Sequence, residues 1–242
     1  MANASKCVQL VHAVTFWKNV EKIVAITKPF VDLLRLVDSE KFVIGKVYWY
    51  FSEAIQFAKD NSQFSTREKS QIVAAANARW VQLHTPLHGA TFALEPKFQL
   101  YNQSANNKVM KNFKHVCAQL LPGDAGKEAF HQRLQFANRE GSFGDEWHLD
   151  AIKRTNAPMW WKEYGGDTIE LQHVATCVLS VVASSGNCER NWSAYDFIHT
   201  KRCNRLNPKR ATDLVYVYYN MKLIHSPINI ALCIAHNKHG LF

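Results

Sequence analysis

The sequence predicts a mainly α-helical protein. Apolar residues recur every three or four positions through most of the 242-residue chain, which is the spacing of one buried helix face. Gly and Pro are few, at ten and seven, and neither a Gly-rich phosphate loop nor an alternation of strands and helices occurs. Hydrophobic residues make up 47% of the chain, which is enough to bury a sizeable core in one or two domains.

The first third of the chain contains clear helix signals. Apolar spacing predicts a helix from residue 16, and Pro29 is expected to interrupt this helix before it resumes. A second helix covers 44–58, with charged residues on its outer face. Ser65, followed three residues later by Glu68, has the pattern of a capping box, in which the two residues bond free backbone N–H groups at a helix start.

Shorter helices are predicted in the middle of the chain. Thr85 and Pro86 suit the cap and the first turn of a helix. Apolar stripes predict two more helices over 109–120 and 130–136. Two Gly and several polar residues make 139–150 the best candidate for a linker.

The last third contains the most apolar segment. Residues 174–183 are apolar nearly all round and are therefore expected to be buried on every side. Asn207 and Pro208 form the cap and first residue of a final helix, although the β-branched and aromatic run 215–219 leaves an edge strand as the alternative. No apolar run approaches the roughly 20 residues of a membrane-spanning helix, so no membrane partner is expected.

The formal net charge of +9 favours anionic partners, nucleic acid first. Basic residues concentrate in a loop at 201–210 that contains no acidic residue. The basic residues are Lys201, Arg202, Arg205, Lys209 and Arg210. The loop is either a solvated surface segment, or a contact for nucleic-acid phosphates or a nuclear-import patch.

Metal binding is not predicted. The six cysteines include no Cys-x-x-Cys pair and are expected to be free thiols in a reducing compartment. One metal-like spacing joins Cys233, His236 and His239, but it has no second ligand pair. His84 and His88 are four residues apart, but a proline lies between them, so core or capping roles are favoured over metal ligation.

Three motifs near the C-terminus carry a family resemblance. The motifs are the tryptophan pair Trp160-Trp161, the segment SSGNCERNWS at 184–193, and the basic segment KRCNRL at 201–206. In this order, with an apolar helix after the tryptophans, they resemble the C-terminal dimerisation region of hAT-superfamily transposases. The segments FWKNV at 16–20 and PFVDLLRLVD at 29–38 resemble the part of plant-type members that precedes the helical insertion. The segments RWVQLHTPLHGA at 79–90 and LEP at 94–96 resemble a signature of the same group, so the resemblance extends over roughly residues 16–223.

The resemblance implies a fold and a division of the chain. The family has an RNase H-like fold interrupted by a helical insertion, and this chain would hold the helical insertion remnant and the C-terminal helices without the catalytic sheet. The implied division is a helical region at 1–150, the dimerisation region at 151–223 and a divergent tail at 224–242.

The resemblance also bears on catalysis. The family uses an Asp-Asp-Glu triad to hold two divalent metal ions about the scissile phosphate. Glu189 matches the third acid, whereas the two aspartates lie further upstream in the family than this sequence begins. Because one carboxylate cannot hold two metal ions, we expect no independent catalysis and no cofactor, a divalent metal entering only if the aspartates were supplied. For Glu189 we expect a role at a helix N-terminus, with a vestigial role as third acid as the alternative.

The apolar surplus of the C-terminal region predicts association with a second chain, because a unit of this size has difficulty burying it internally. The predicted dimerisation residues are Trp160, Trp161, Leu171, Val174, Val178, Leu179, Val182, Trp192, Leu214, Val217, Tyr218 and Met221. The alternative is that they pack against residues 1–150 of the same chain. The expected partner is a second copy or a related hAT-type protein, with DNA bound non-specifically as a further candidate, and the expected location is the nucleus.

Overall fold

The computed structural model describes residues 8–9, 11–39, 41–101, 106–186, 189, 192, 196 and 207–224. These residues are mainly α-helical, as the sequence predicts, and no strand occurs among them. The α-helices are α1 (Val14–Val37), α2 (Ile44–Asp60), α3 (Thr66–Leu83), α4 (Pro86–Leu94), α5 (Asn107–Leu120), α6 (Asp124–Asn138), α7 (Glu146–Arg154), α8 (Ala157–Tyr164), α9 (Ile169–Leu179) and α10 (Pro208–Ile224). Short 3-10 helices, Pro96–Phe98 and Gly141–Gly144, precede α5 and α7. Within the described part of the chain, no helix combines the length and apolarity needed to cross a bilayer.

The chain divides into two compact units, Met1–Ala183 and Ser184–Phe242. Helices α1 to α9 belong to the first unit and α10 belongs to the second. The boundary expected after residue 150 falls inside the first unit, because α8 and α9 supply part of that unit's core. As a division between family regions, the boundaries 1–150, 151–223 and 224–242 remain predictions.

Helices α1, α2 and α3 pack side by side at the start of the first unit. Ile26 and Leu33 are the buried residues of α1, and Phe30 meets the ring of Phe51 on α2 edge-on, with 6.2 Å between centroids. On α3, Trp80 stacks on Phe51 at 4.4 Å. The capping box predicted for Ser65 is present at the start of α3. Each helix therefore contributes an apolar stripe to its neighbour, as the spacing of apolar residues predicts.

The core of the first unit lies beneath α4, which is buried from Gly89 to its end at Leu94. Its buried side chains join those of α5, α6, α8 and α9 in one apolar cluster. A Cβ at Gly89 would come within 2.5 Å of Asn112 Nδ2, so glycine allows α4 and α5 to approach closely. The N-terminus of α9 is held by α6, where the Gln132 side-chain oxygen accepts a hydrogen bond from the backbone of Leu171 at 2.9 Å.

Pro29 does not interrupt the first helix, contrary to the prediction. Helix α1 runs continuously from Val14 to Val37 with Pro29 inside it. Proline removes one backbone donor, but the helix is long and its buried side chains hold it against α2. Packing therefore outweighs the local cost of the proline.

The segment 139–150 is not a linker between domains, contrary to the prediction. Arg139 ends α6 in the left-handed conformation, with φ at 57°, and the chain then turns into the 3-10 helix Gly141–Gly144. Phe143 in that turn is fully buried, 5.4 Å from the ring of Phe136 and 6.1 Å from that of Trp160. One aromatic side chain thus ties the polar segment into the core.

The segment 174–183 is buried on one face only, not on every side. Helix α9 ends at Leu179, and the Ser180 hydroxyl donates to the Thr176 carbonyl at 2.6 Å within its last turn. Cys177 is exposed, and Val181 and Val182 beyond the helix end are also exposed. The sequence did not reveal which side of this segment faces solvent, because the residues on the exposed side are as apolar as those on the buried side.

Candidate dimerisation surface

Half of the predicted dimerisation residues lie in the core of the first unit. They are Trp160, Trp161, Leu171, Val174, Val178 and Leu179, and none is more than 3% exposed. The two tryptophans come from α8, whose start is capped by the side-chain oxygen of Asn156, which accepts from the Met159 backbone at 3.0 Å. Trp160 Nε1 donates to the His148 carbonyl at 2.9 Å, and Trp161 Nε1 donates to the Leu94 carbonyl at 2.7 Å. Both indole N–H groups are therefore hydrogen-bonded, and both rings are buried inside the chain.

This burial favours the alternative that the sequence left open for these six residues. They pack against helices α4 to α6 of the same chain, so they present no surface to a partner while the first unit is folded. In the folded unit they hold in place the outer residues of the same helices. The remaining six residues are exposed, and a contact role for them remains a prediction.

On the first unit, exposed apolar side chains surround this core. Val182 is exposed, and so are Met159 at the start of α8 and Ile169 at the start of α9. Trp147 on α7 is 84% exposed, more than any other large apolar side chain of the described chain. Its backbone N–H is capped by Asp145 at 2.8 Å, so the helix start that carries it is well defined.

Sequence reasoning missed Trp147. The available signal was its position outside the apolar spacing of Leu149 and Ile152, two half-buried residues of the same helix. A tryptophan on the outer face of a short helix is the side-chain type that most often anchors a protein interface. We therefore add Trp147 to the candidate surface.

On the second unit, α10 presents an apolar stripe. Leu214, Val217, Tyr218 and Met221 follow the spacing of one helix face, and about half of each side chain is exposed. Asn207 caps the helix, as predicted, by accepting a hydrogen bond from the Lys209 backbone at 3.1 Å. The helical conformation settles the alternative of an edge strand at 215–219. Trp192, also exposed, lies in the same unit.

A shallow apolar groove of about 380 Å³ lies on the first unit between the start of α4, the second half of α5 and the end of α9. Its lining includes Leu87, Val116, Leu120 and Val181, with Cys177 at one wall. Although Cys177 is exposed as a residue, the neighbouring apolar groups partly desolvate its thiol and raise the pKa, so the thiolate that would react as a nucleophile is disfavoured. The groove offers apolar contact rather than chemistry.

The histidines at the junction of α3 and α4 have capping and packing roles, as predicted. His88 Nδ1 accepts from the Thr85 backbone at 3.1 Å, completing a capping box at the start of α4. The His84 ring lies 3.2 Å from the Asn112 amide nitrogen and packs against Trp80. Burial lowers the pKa of both imidazoles, which favours their neutral forms.

The charged candidates are only partly described. Lys209 and Arg210 are exposed in the first turn of α10, whereas Lys201, Arg202 and Arg205 lie outside the described residues. The spacing of Cys233, His236 and His239 also lies outside them. Within the described part of the chain, no group of three His, Cys, Asp or Glu side chains could hold a metal ion.

Glu189 makes a local contact. Its Oε1 accepts a hydrogen bond from the Ser185 hydroxyl at 3.1 Å, and its backbone N–H donates to the Ser185 carbonyl at 3.0 Å. The carboxylate is exposed. These bonds are those of a residue near the start of a helical turn, where a carboxylate is favourable.

Part of the chain matches the model of a known protein family. Residues 139–221 match the family model described as the hAT family C-terminal dimerisation region. The matched segment contains Trp147, all of α7 to α10 except the end of α10, and each of the twelve predicted dimerisation residues. Comparison with curated proteins and with solved structures gave no match.

Proposed function

We propose that this chain, which carries an hAT family C-terminal dimerisation region at residues 139–221 and is thereby related to hAT-family transposases, pairs with a second copy of itself through exposed apolar side chains of that region. The observation that carries the proposal is the exposed stripe of α10, supported by Trp147 on the first unit. Both lie inside the matched segment, and burying such side chains between chains is favourable at about 25 cal/mol per Å².

The test is the molecular mass in solution, measured by sedimentation equilibrium and light scattering. Leu214→Asp combined with Val217→Asp places two charges on the stripe and should lower the mean mass, because a buried unpaired charge is costly. Tyr216→Asp is the matched control, since Tyr216 is exposed on the other side of the same helix. A wild-type monomer at tens of micromolar, or an unchanged mass for the double variant, would contradict the proposal.

Trp147→Ala tests the contribution of the first unit. Because Trp147 is exposed, its removal should leave the free energy of unfolding within about 0.5 kcal/mol of the wild type. Loss of an interface tryptophan typically weakens association by about 2 kcal/mol or more. Weaker association at unchanged stability would therefore identify a contact residue.

We infer further that the chain has no catalytic activity of its own. The hydrogen bond between Glu189 and Ser185 supports a local role for this carboxylate. A cleavage assay with DNA and Mg²⁺ or Mn²⁺ should give no product for the wild type or for Glu189→Gln. Cleavage that depends on Glu189 would overturn this part of the proposal.

We also propose which part of the family fold this chain represents. The motifs at 79–90 and 94–96 support the interpretation that the helices are the helical insertion remnant and C-terminal helices of an RNase H-like, plant-type hAT transposase. The genomic sequence just upstream of residue 1 is the test. An open reading frame there that encodes the two catalytic aspartates would support the assignment, and it would contradict the inference that the protein has no catalytic activity.

A second candidate function is binding of nucleic acid through the basic loop at 201–210. It is favoured by the net charge of +9 and by the exposure of Lys209 and Arg210 at the start of α10. Binding of duplex DNA should weaken steeply as salt is added, and Lys201→Glu with Arg205→Glu should abolish it. The same variant, followed by fluorescence microscopy, tests the expected nuclear location.

A further inference from the structure

A second exposed apolar surface lies on α1, outside the segment that matches the dimerisation family. Its residues recur with a seven-residue period over three heptads. Trp17, Val24 and Val31 occupy the first of the two core positions, and Val20, Thr27 and Leu34 occupy the second. We call these six residues the α1 seam.

Five of the six residues of the α1 seam are solvent-exposed, and Val20 is half-buried. Trp17 is 49% exposed, Val24 58%, Val31 39% and Leu34 62%. Helix α1 packs on α2 chiefly through Ile26 and Leu33, which lie on a different face, and through Phe30, which lies at one flank of the seam. The seam is therefore not the face that holds α1 in its own fold.

The period of the seam identifies the kind of partner. A helix that packs into a globular core repeats its apolar residues with a period near 3.6, whereas a strict seven-residue repeat is the mark of two helices that pack along their length. Helix α1 is continuous through Pro29 and has 24 residues, so it is about 36 Å long. The occupant that fits is another helix of similar length and pattern.

Charge indicates that this helix is a second copy of α1 running in the opposite direction. One flank of the seam carries Glu21, Lys28 and Arg35 at seven-residue spacing, whereas the other flank carries Phe16, Ile23 and Phe30. In an antiparallel pair, each flank of one helix faces the same flank of the other helix. A two-fold axis near Val24 therefore brings Glu21 of each copy beside Lys28 of the other. A parallel pair would place the charged flank against the apolar one.

We propose that α1 is a second self-association surface of this protein, which joins two copies as an antiparallel helix pair through the α1 seam. This surface is independent of the C-terminal dimerisation region. A chain with two such surfaces assembles beyond the dimer, because each copy joins one partner through α1 and another through the C-terminal region.

The first experiment combines variants of both surfaces in the full chain and measures mass by sedimentation equilibrium. Val24→Glu with Val31→Glu disrupts the α1 seam, and Leu214→Asp with Val217→Asp disrupts the α10 stripe. The wild type should exceed the mass of a dimer at high concentration, each pair of substitutions should leave a dimer, and all four together should give a monomer. Lys18→Glu, exposed on α1 outside the seam, should behave as the wild type.

The outcomes separate this proposal from the C-terminal one. If the α10 variant is already a monomer, or is a dimer that the seam substitutions do not dissociate, the α1 proposal is wrong. If instead the seam variant is a monomer, the C-terminal proposal fails while the α1 proposal stands. Far-ultraviolet circular dichroism and urea unfolding of each variant establish that the monomers are folded.

The second experiment tests the direction of pairing, in the α10 variant background. Glu21→Lys alone should raise the dissociation constant about fivefold or more, since two opposite-charge contacts of roughly 0.5 kcal/mol each are lost. Lys28→Glu should do the same, and it also removes the pairing of Lys28 with Asp32 of its own helix, so urea unfolding of this variant is measured beside its association. The two substitutions together exchange the charges and should restore association. An exchanged variant as weak as the single variants would overturn the antiparallel arrangement, because only that arrangement brings Glu21 and Lys28 of different copies together.

Discussion

Gly45 lies in the first turn of α2, directly against the buried carboxylate of Glu95. A Cβ at Gly45 would lie 2.7 Å from Glu95 Oε2 and 3.0 Å from a methyl carbon of Leu179. Glu95 itself lies between two helices: it follows the last residue of α4 and precedes the 3-10 helix Pro96–Phe98. At this point the start of one helix, the end of another and a core leucine meet, and glycine is the residue that fits between them.

Gly45→Ala should therefore destabilise the protein. Crowding at a packed site costs about 1–3 kcal/mol, whereas the gain in helix propensity from alanine is at most about 1 kcal/mol. Gly166→Ala is the control, because nothing lies within 4 Å of a Cβ at Gly166. Urea unfolding should place the control within about 0.5 kcal/mol of the wild type. Wild-type stability for Gly45→Ala would mean that Glu95 and Leu179 move aside at no cost.

Glu95 should make stability depend on pH. Burial raises the pKa of its carboxyl above 4.5, although the charge of nearby Lys46 acts in the opposite direction. The folded state thus binds the proton more tightly than the unfolded state, so Glu95 stabilises the fold below pH 4.5 and this contribution is lost as the pH rises through the raised pKa. Glu95→Gln removes the titration. In urea unfolding at a series of pH values rising from 4.5, the free energy of unfolding of the variant should increase relative to that of the wild type. A difference that stays constant with pH would contradict the assignment.

At the scale of elements, helix starts depend on single side chains. At the start of α3, the Ser65 hydroxyl accepts from the Glu68 backbone, while the Glu68 carboxylate accepts from the Ser65 backbone at 2.8 Å. The bond from the Ser65 backbone is the main reason that the pKa of Glu68 falls to about 2, with smaller contributions from the Ser65 hydroxyl and from Lys22 on α1. The cap thereby links α3 to α1 through Lys22, whose Nζ lies 3.1 Å from Glu68 Oε1.

Ser65→Ala should cost about 1 kcal/mol of stability, because the N–H of Glu68 loses its acceptor. Ser70→Ala, at an exposed position inside the same helix, should leave stability unchanged or slightly raised, since alanine is the better helix former. Thermal and urea unfolding of both variants give the comparison. Equal stability of the two variants would show that the cap contributes nothing to the folded state.

The sequence predicts those structural elements that are determined by residues close to each other in the chain. The caps at Ser65, Thr85 and Asn207 were predictable because each depends on residues within four positions. The continuity of α1 through Pro29 was not, because it depends on packing against α2. The buried turn around Phe143 was likewise hidden, since its stability comes from aromatic rings elsewhere in the chain.

The candidate surface was predictable in its location but not in its side chains. The motifs that resemble the hAT family placed it within the segment that the family match contains. Trp161 and Trp147 both lie in that segment, yet one is fully buried and the other is 84% exposed. A side chain that packs inside its own chain and one that packs against a partner are equally apolar, so only three-dimensional structure separates them.

At the scale of the whole molecule, the core of the first unit crosses the boundary that the family resemblance suggests. Phe113 and Phe136 come from one side of residue 150, and Trp160, Trp161 and Leu171 come from the other. Helix α9 packs on α4 and α6, so removing the chain beyond 150 would expose the faces of these two helices that α9 covers. Residues 1–150 therefore cannot seal their apolar surface by themselves.

This arrangement predicts how fragments behave. A fragment of residues 1–183 contains the first unit whole, so it should unfold cooperatively and keep the near-ultraviolet circular dichroism of buried tryptophans. A fragment of residues 1–150 should lack both properties and bind the dye ANS through exposed apolar surface. Cooperative unfolding of the shorter fragment would instead place the folding boundary at residue 150. Because the longer fragment keeps α1 and lacks the α10 stripe, although Trp147 remains in it, its mass in solution tests the α1 seam without that stripe: we expect a dimer that Val24→Glu with Val31→Glu dissociates and that Trp147→Ala leaves intact.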